Sequence, residues 1–146
     1  MIKWDQIPEF SRHEFDDPEH PGSGDLFNEV AFYKLLDLRR KTGWPIVTHV
    51  AVGGAVDVGG THGHAKGSYH GESKGFCAVD FHFITDAGTR EQYQAVAESG
   101  FPGIGVYYDW HWNGKLLPIG FHVDDRPKDK AQRWTRKAGK YLYFLK

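Results

Sequence analysis

Ser68-Tyr-His-Gly-Glu-Ser-Lys-Gly-Phe-Cys-Ala-Val-Asp-Phe-His82 is the stretch that decides the fold. Its second half continues to Ile84 with the two-residue period of a strand. Ala78, Asp80 and His82 fall on one face, and Val79, Phe81 and Phe83 on the other. So apolar a face belongs to a core, which directs Asp80 and His82 into a cleft. The first half sets His70 at the mouth of a Gly-bearing loop. A second fragment, Gly120-Phe-His-Val-Asp124, carries His122 on another short strand. Two histidines and one carboxylate from separate elements make an open tetrahedral metal site with room for water.

Working outward, Ser23 or Asp25 to about Arg40 reads as a helix. Leu26, Val30 and Tyr33 form one stripe, and Phe27, Ala31, Leu35 and Leu38 an adjacent one. Gly43 closes it after Arg39, Arg40 and Lys41. Pro45 to Val52 is β-branched and reads as a buried strand, with His49 a core or supporting histidine. Residues 53–68 form a Gly-rich loop bearing Asp57, His62 and His64, and no helix follows to make it a phosphate cradle. Cys77 falls on the core side, as a small buried hydrophobe.

Thr89 to about Ser99 reads as a second helix, with Thr89 and Gln92 as a capping box. Gly103 to Tyr108 is a strand, and Asn113-Gly114 marks a hairpin turn. Trp110 and Trp112 share one face of that hairpin, Asp109 and His111 the other. Leu116 to Asp124 returns as a strand on which Gly120, His122 and Asp124 share a face. The tail from Arg126 holds eight basic residues against one acidic, Asp129, a pattern read as a solvated face ending in a strand at Tyr141 to Leu145. Residues 1–24 form an irregular arm, broken by Pro8, Pro18 and Pro21 and tied to the body by Trp4, Phe10 and Phe15. The elements predict one α+β domain over residues 1–146, with a small antiparallel sheet and helices packed on one side.

Composition excludes several classes. A formal net charge of -1 gives no steering toward nucleic acid or membrane. One cysteine excludes an internal disulfide. Neither a signal-peptide h-region nor a long apolar run occurs, so synthesis in the cytoplasm without an export signal is expected. A monomer is expected too.

Zinc accepts imidazole nitrogen and carboxylate oxygen, and a catalytic zinc keeps one position for water. His70, Asp80 and His122 are the ligands this reading selects. A base must then take the water's proton. Asp124, Asp109, His111, Glu72 and His82 are all candidates, and Asp124 is also a candidate to orient an imidazole. Spacing leaves them open.

The same residues carry a resemblance covering most of the chain. Ser68-Tyr-His70 followed by Gly75…Ala78-Val-Asp80 resembles the Ser-x-His…Gly-x-Ala-x-Asp signature of the M15 family of zinc peptidases, the D-alanyl-D-alanine carboxypeptidase and phage endolysin group whose fold hedgehog domains share. Phe10…Glu14-Phe15 before the first helix, and Leu38-Arg39-Arg40…Gly43-Trp-Pro45-Ile46 at its end, are similar to that family as well. So is the closing block, Gly103-Ile-Gly-Val-Tyr107, then Phe121-His122-Val-Asp124 and Arg133-Trp134. The resemblance implies a hedgehog-like fold, His70, Asp80 and His122 on Zn2+, and Ser68 close to substrate. This chain departs from the pattern in three places. The loop between His70 and Asp80 is longer. Thr48-His-Val-Ala-Val-Gly53 stands where many members carry an arginine-bearing Ser-Gly-Tyr-Arg, leaving Lys66, Arg126 or Arg133 to anchor a substrate carboxylate. Ile119 stands where some relatives place the acidic base.

The function these readings imply is a zinc peptidase cutting peptidoglycan stem peptides, as a phage or prophage lysis enzyme released to the cell wall by another protein. The missing anchor arginine favours an L-Ala–D-Glu endopeptidase over a D-Ala–D-Ala carboxypeptidase. Ser68, Arg126 and Trp110 are its expected substrate contacts. A second reading is a non-catalytic, metal-stabilised wall-binding or phage structural module, with Trp110 and Trp112 stacking on glycan. A third is an unrelated metal hydrolase using Asp57, His62 and His64.

Overall fold

The computed structural model describes residues 1–145. In chain order the regular elements are α1 (Glu29–Thr42), β1 (Ile46–Thr48), β2 (Ala78–Phe83), α2 (Thr89–Ala97), β3 (Gly103–Tyr107), β4 (His111–Trp112), β5 (Lys115–Leu116), β6 (Gly120–Asp124), β7 (Gln132–Lys137) and β8 (Lys140–Leu145). Six strands form one sheet in the order β1-β2-β6-β3-β7-β8, while β4 and β5 form a separate hairpin. The class is α+β, as the sequence predicts. The sheet, however, is mixed and not antiparallel, because β7 runs parallel to β3. β6 already occupies one edge of β3. The segment after Asp124 therefore loops through a 3-10 turn at Lys128–Lys130 and fills the other edge in the same direction as β3. The basic tail is thus the sheet's outer part, and it is solvated as expected, with Lys128, Lys130, Lys137 and Lys140 exposed.

Three rungs cross this sheet. Asp80 pairs with His122, His122 with Gly105, Gly105 with Trp134, and Trp134 with Tyr143. One rung along, Gly120, Tyr107, Arg136 and Tyr141 follow one another. On the other side lie Ala78, Asp124, Gly103 and Gln132. Side chains alternate along a strand, so all three rungs look out from one face. The glycines of β3 and β6 are clearances for what lies above them. A Cβ on Gly103 would collide with the Asp124 carboxylate, one on Gly120 with the Trp110 ring, and one on Gly105 would meet the Trp134 indole at 2.6 Å.

The opposite face is the core. Val79, Phe81, Ile104, Val106, Phe121 and Val123 join one apolar cluster with Ala31, Phe32, Leu35 and Leu38 of α1 and Val96 of α2. Phe15 of the N-terminal arm is fully buried in it, its ring against Phe10, Phe27 and Phe32, so the arm is anchored as expected.

Local chemistry moves several boundaries. Ser23–Leu26 is a 3-10 turn, and α1 begins only after Asn28, whose side chain accepts from Ala31 N–H. The stripe of Leu26, Val30 and Tyr33 is exposed, and only the adjacent stripe is buried. β1 ends at Thr48 because His49 N–H bonds to Asp80 O and the chain then coils into a 3-10 turn at Val50–Val52. The Thr89–Gln92 capping box does not form. Gly88 caps α2, and Gln92 Nε2 donates to Ala87 O instead. Leu117 to Ile119 separate β5 from β6, where one strand was predicted. Among the described residues no helix is long and apolar enough to cross a membrane.

Candidate metal centre

His70, Asp80 and His122 converge. Asp80 Oδ1 lies 3.2 Å from His70 Nε2 and 2.9 Å from His122 Nδ1. Ligand atoms about 2.0–2.1 Å from a tetrahedral zinc are about 3.3 Å from one another, so this spacing suits a small ion with little rearrangement. Asp80 and His122 come from paired positions on β2 and β6. His70 comes from the loop before β2, where its backbone C=O accepts from Asp57 N–H and thereby holds the loop to the body.

The two imidazoles are held from behind. His70 Nδ1 lies 3.0 Å from Ala55 O, which can only accept, so Nδ1 carries the proton and Nε2 offers its lone pair. His122 Nε2 donates to Asp124 Oδ2 at 2.7 Å, which leaves Nδ1 facing Asp80. Supporting contacts of this kind orient metal-binding histidines. Without an ion His122 is a doubly bonded imidazolium. Burial opposes its charge, but the Asp124 and Asp80 carboxylates outweigh burial and raise its pKa to about 9. Burial likewise opposes the charge of Asp80, yet the nearby His70 and His122 hold its carboxyl far below the usual carboxylate range. The donor set fits a metal ion, with hard oxygen and borderline nitrogen ligands on separate elements.

A cleft of about 460 Å³ opens over these residues. The His64–Ser68 loop forms one wall, Trp110 another, and the outer strands supply Trp134, Arg136, Tyr141 and Tyr143. Ser68, Arg126 and Trp110, the residues predicted as substrate contacts, all line the cleft. Trp110 is stacked on Tyr107 at 4.2 Å. Arg126 forks onto both oxygens of Asp124 at 2.7 Å, and its guanidinium lies over the rings of Tyr69 and Trp134.

The base candidates fare differently. Asp124 is fully buried, its oxygens taken by His122 and Arg126. Burial opposes its charge, but those bonds hold its carboxyl well below the usual range. It is an orienting group and not a base. Asp109 accepts from Arg136 Nε and Gly139 N–H, and His111 is exposed on the small hairpin; neither lines the cleft. Glu72 sits in an exposed 3-10 turn outside it. His82 shares a face with Asp80 but pairs with His49 at 2.8 Å beneath Trp112, so it does not enter the cleft. His49 is the buried, satisfied core histidine among the alternatives the sequence suggested. The trio Asp57, His62 and His64 is not assembled. His62 bonds to Asp17, whereas His64 stacks on His70 at 4.0 Å and donates to Gly53 O. A second group that could hold a cation is Asp17, Glu19 and His62.

Sequence reasoning missed the outer wall. Gln132, Trp134, Arg136, Tyr141 and Tyr143 reach the cleft only because β7 lies against β3. The alternation Trp134, Arg136 across the start of the basic tail was the available signal. No protein-family model, no curated protein and no solved structure matches this chain.

Proposed function

We propose that this protein is a zinc-dependent peptidase acting on the stem peptides of peptidoglycan. One observation carries the reading. His70 Nε2, Asp80 Oδ1 and His122 Nδ1 face one point at the floor of an open cleft, with each imidazole's other nitrogen occupied. The likeness of Ser68-Tyr-His70…Asp80 and His122-Val-Asp124 to the M15 peptidases supplies the substrate class.

His70, Asp80 and His122 would hold the ion; zinc bound there would supply polarisation of a carbonyl and a bound water with pKa of about 7. Asp124 and Ala55 O hold the two rings in the tautomers required for this. Trp110 and Tyr107 form a flat wall against which a peptide is positioned. His64 is the candidate proton-exchanging group inside the cleft, whereas burial holds the Tyr107 hydroxyl above the usual tyrosine range and it accepts from Trp134 Nε1. Burial holds His64 below the usual histidine range, and so neutral at pH 7. This protein would act on the wall once released.

A second reading is a wall-binding module that keeps the ion but turns nothing over. Its support is specific: among the described residues, Asp80 is the one carboxylate that lines the cleft, and it is a ligand.

The test is metal content and stem-peptide cleavage on one preparation, with Asp80→Ala and His122→Ala alongside. One zinc per chain, with cleavage lost in both variants, supports the peptidase. One zinc per chain and intact stems transfers the assignment to the binding module. Zinc retained by both variants overturns the ligand set.

A further inference from the structure

We propose that Arg136 forms a carboxylate-binding subsite at the far end of the cleft, and that the substrate is an acidic peptide whose carboxylate lies about two residues beyond the bond cut. This rests on the peptidase reading and deepens it.

Arg136 is built as an anchor. Its Nε donates to Asp109 Oδ2 at 2.9 Å, and Gly139 N–H donates to that same oxygen at 2.8 Å. Its guanidinium carbon lies 5.6 Å from the ring centres of both Tyr107 and Tyr141. One edge is tethered, and the guanidinium lies beside two aromatic rings set at right angles to each other. The terminal nitrogens, of which Nη1 lies 3.4 Å from the Tyr141 hydroxyl, are left on a side chain one-third exposed at the cleft. A planar fork so restrained loses little further freedom on accepting a carboxylate.

The other cations do not compete. Arg126 is spent on Asp124 and Gln132, and Arg133 does not line the cleft, its Nη1 donating to the Tyr93 hydroxyl. Lys66 lines the cleft, but it lies on the loop that walls it and carries no such tether.

Position sets the distance. Arg136 stands two strands across from His122 and one rung along. Strand spacing of about 4.8 Å and a rise of about 3.3 Å per residue separate their Cα atoms by on the order of 12 Å. The tether to Asp109 and the flanking rings keep the guanidinium on its own rung. A carboxylate adjoining the scissile bond, as at a D-Ala–D-Ala terminus, falls short. In a stem cut at L-Ala–D-Glu, the side-chain carboxylate of a third-residue diaminopimelate reaches it.

The probes are the tetrapeptide L-Ala-γ-D-Glu-meso-diaminopimelate-D-Ala and the same peptide with the diaminopimelate side-chain carboxyl amidated. Binding to zinc-loaded protein is measured by calorimetry, and cleavage separately. Wild type is expected to bind the free acid roughly 10–100-fold more tightly, the loss of one charged hydrogen bond. Arg136→Gln should bind both peptides alike at the weaker level with zinc content unchanged, and Arg136→Lys should keep part of the preference. Equal binding of both peptides by wild type, or a preference that survives in Arg136→Gln, overturns the subsite; so does binding of neither. An Arg136-dependent preference without cleavage leaves the subsite standing and removes the peptidase.

Discussion

Asp124 holds His122 from behind, its Oδ2 accepting the imidazole Nε2–H at 2.7 Å while Arg126 occupies both of its oxygens. The two residues share β6 and differ by one pleat, so the same backbone that aims the ring at Asp80 also supplies its support.

Asp124→Asn should therefore weaken zinc binding by about 10–100-fold without displacing a ligand. Competition against a chelator of known affinity reads this directly. Wild-type affinity in the variant would show that Asp124 is spectator to the centre.

Zinc uptake should release a proton. His122, raised to about 9, is protonated at pH 7 in the metal-free protein, and Nδ1 must surrender that proton to bind. Calorimetry in buffers of different ionisation enthalpy counts it. Affinity should climb from pH 7 toward 9 and then level.

His49 should make the fold sensitive to mild acid. Burial, with a smaller contribution from His82, lowers its pKa from 6.5 to about 4 against the pull of Asp80. The unfolded chain then binds the extra proton between those values. The contribution is whole above pH 6.5 and shrinks as pH falls toward 4, by up to about 3 kcal/mol. Urea unfolding of metal-free wild type and His49→Gln at pH 7 and pH 4.5 separates this term. The variant should lose less stability across the interval.

Gly103→Ala should destabilise by about 1–3 kcal/mol, as overpacking does, and lower zinc affinity as well. Its Cβ would strike the Asp124 carboxylate, which His122 and Arg126 prevent from retreating. Thermal unfolding in chelator, followed by zinc titration, gives both quantities. Gly43→Ala is the contrast: at φ 71 its cost is backbone strain alone, so zinc affinity should stay unchanged.

Local pattern made two of the three candidate ligands legible, because alternation alone puts Asp80 and His122 opposite the apolar residues of β2 and β6, while His70 stands on a loop. It made α1 legible from Asn28 onward for the same reason. The face that helix presents was misread, since Val30 and Tyr33 satisfy the period without having anything to pack against. Base candidates failed for a different cause. Asp109 and His82 have the right chemistry, but their partners Arg136 and His49 are remote in sequence, and no window of residues reveals that they are already engaged. The parallel pairing of β3 with β7 was equally out of reach, so the alternation of Trp134 and Arg136 marks a strand without placing it on the cleft wall.

The rung that joins Asp80 to His122 spans 42 residues of chain. Strands slip by single residues, and a slip of one between β2 and β6 would turn His122 into the apolar layer. An ion held between the two side chains would therefore act as a latch on strand alignment. Only chains whose central strands have met in the right phase could close it, and once closed it would block their return to the misaligned pool.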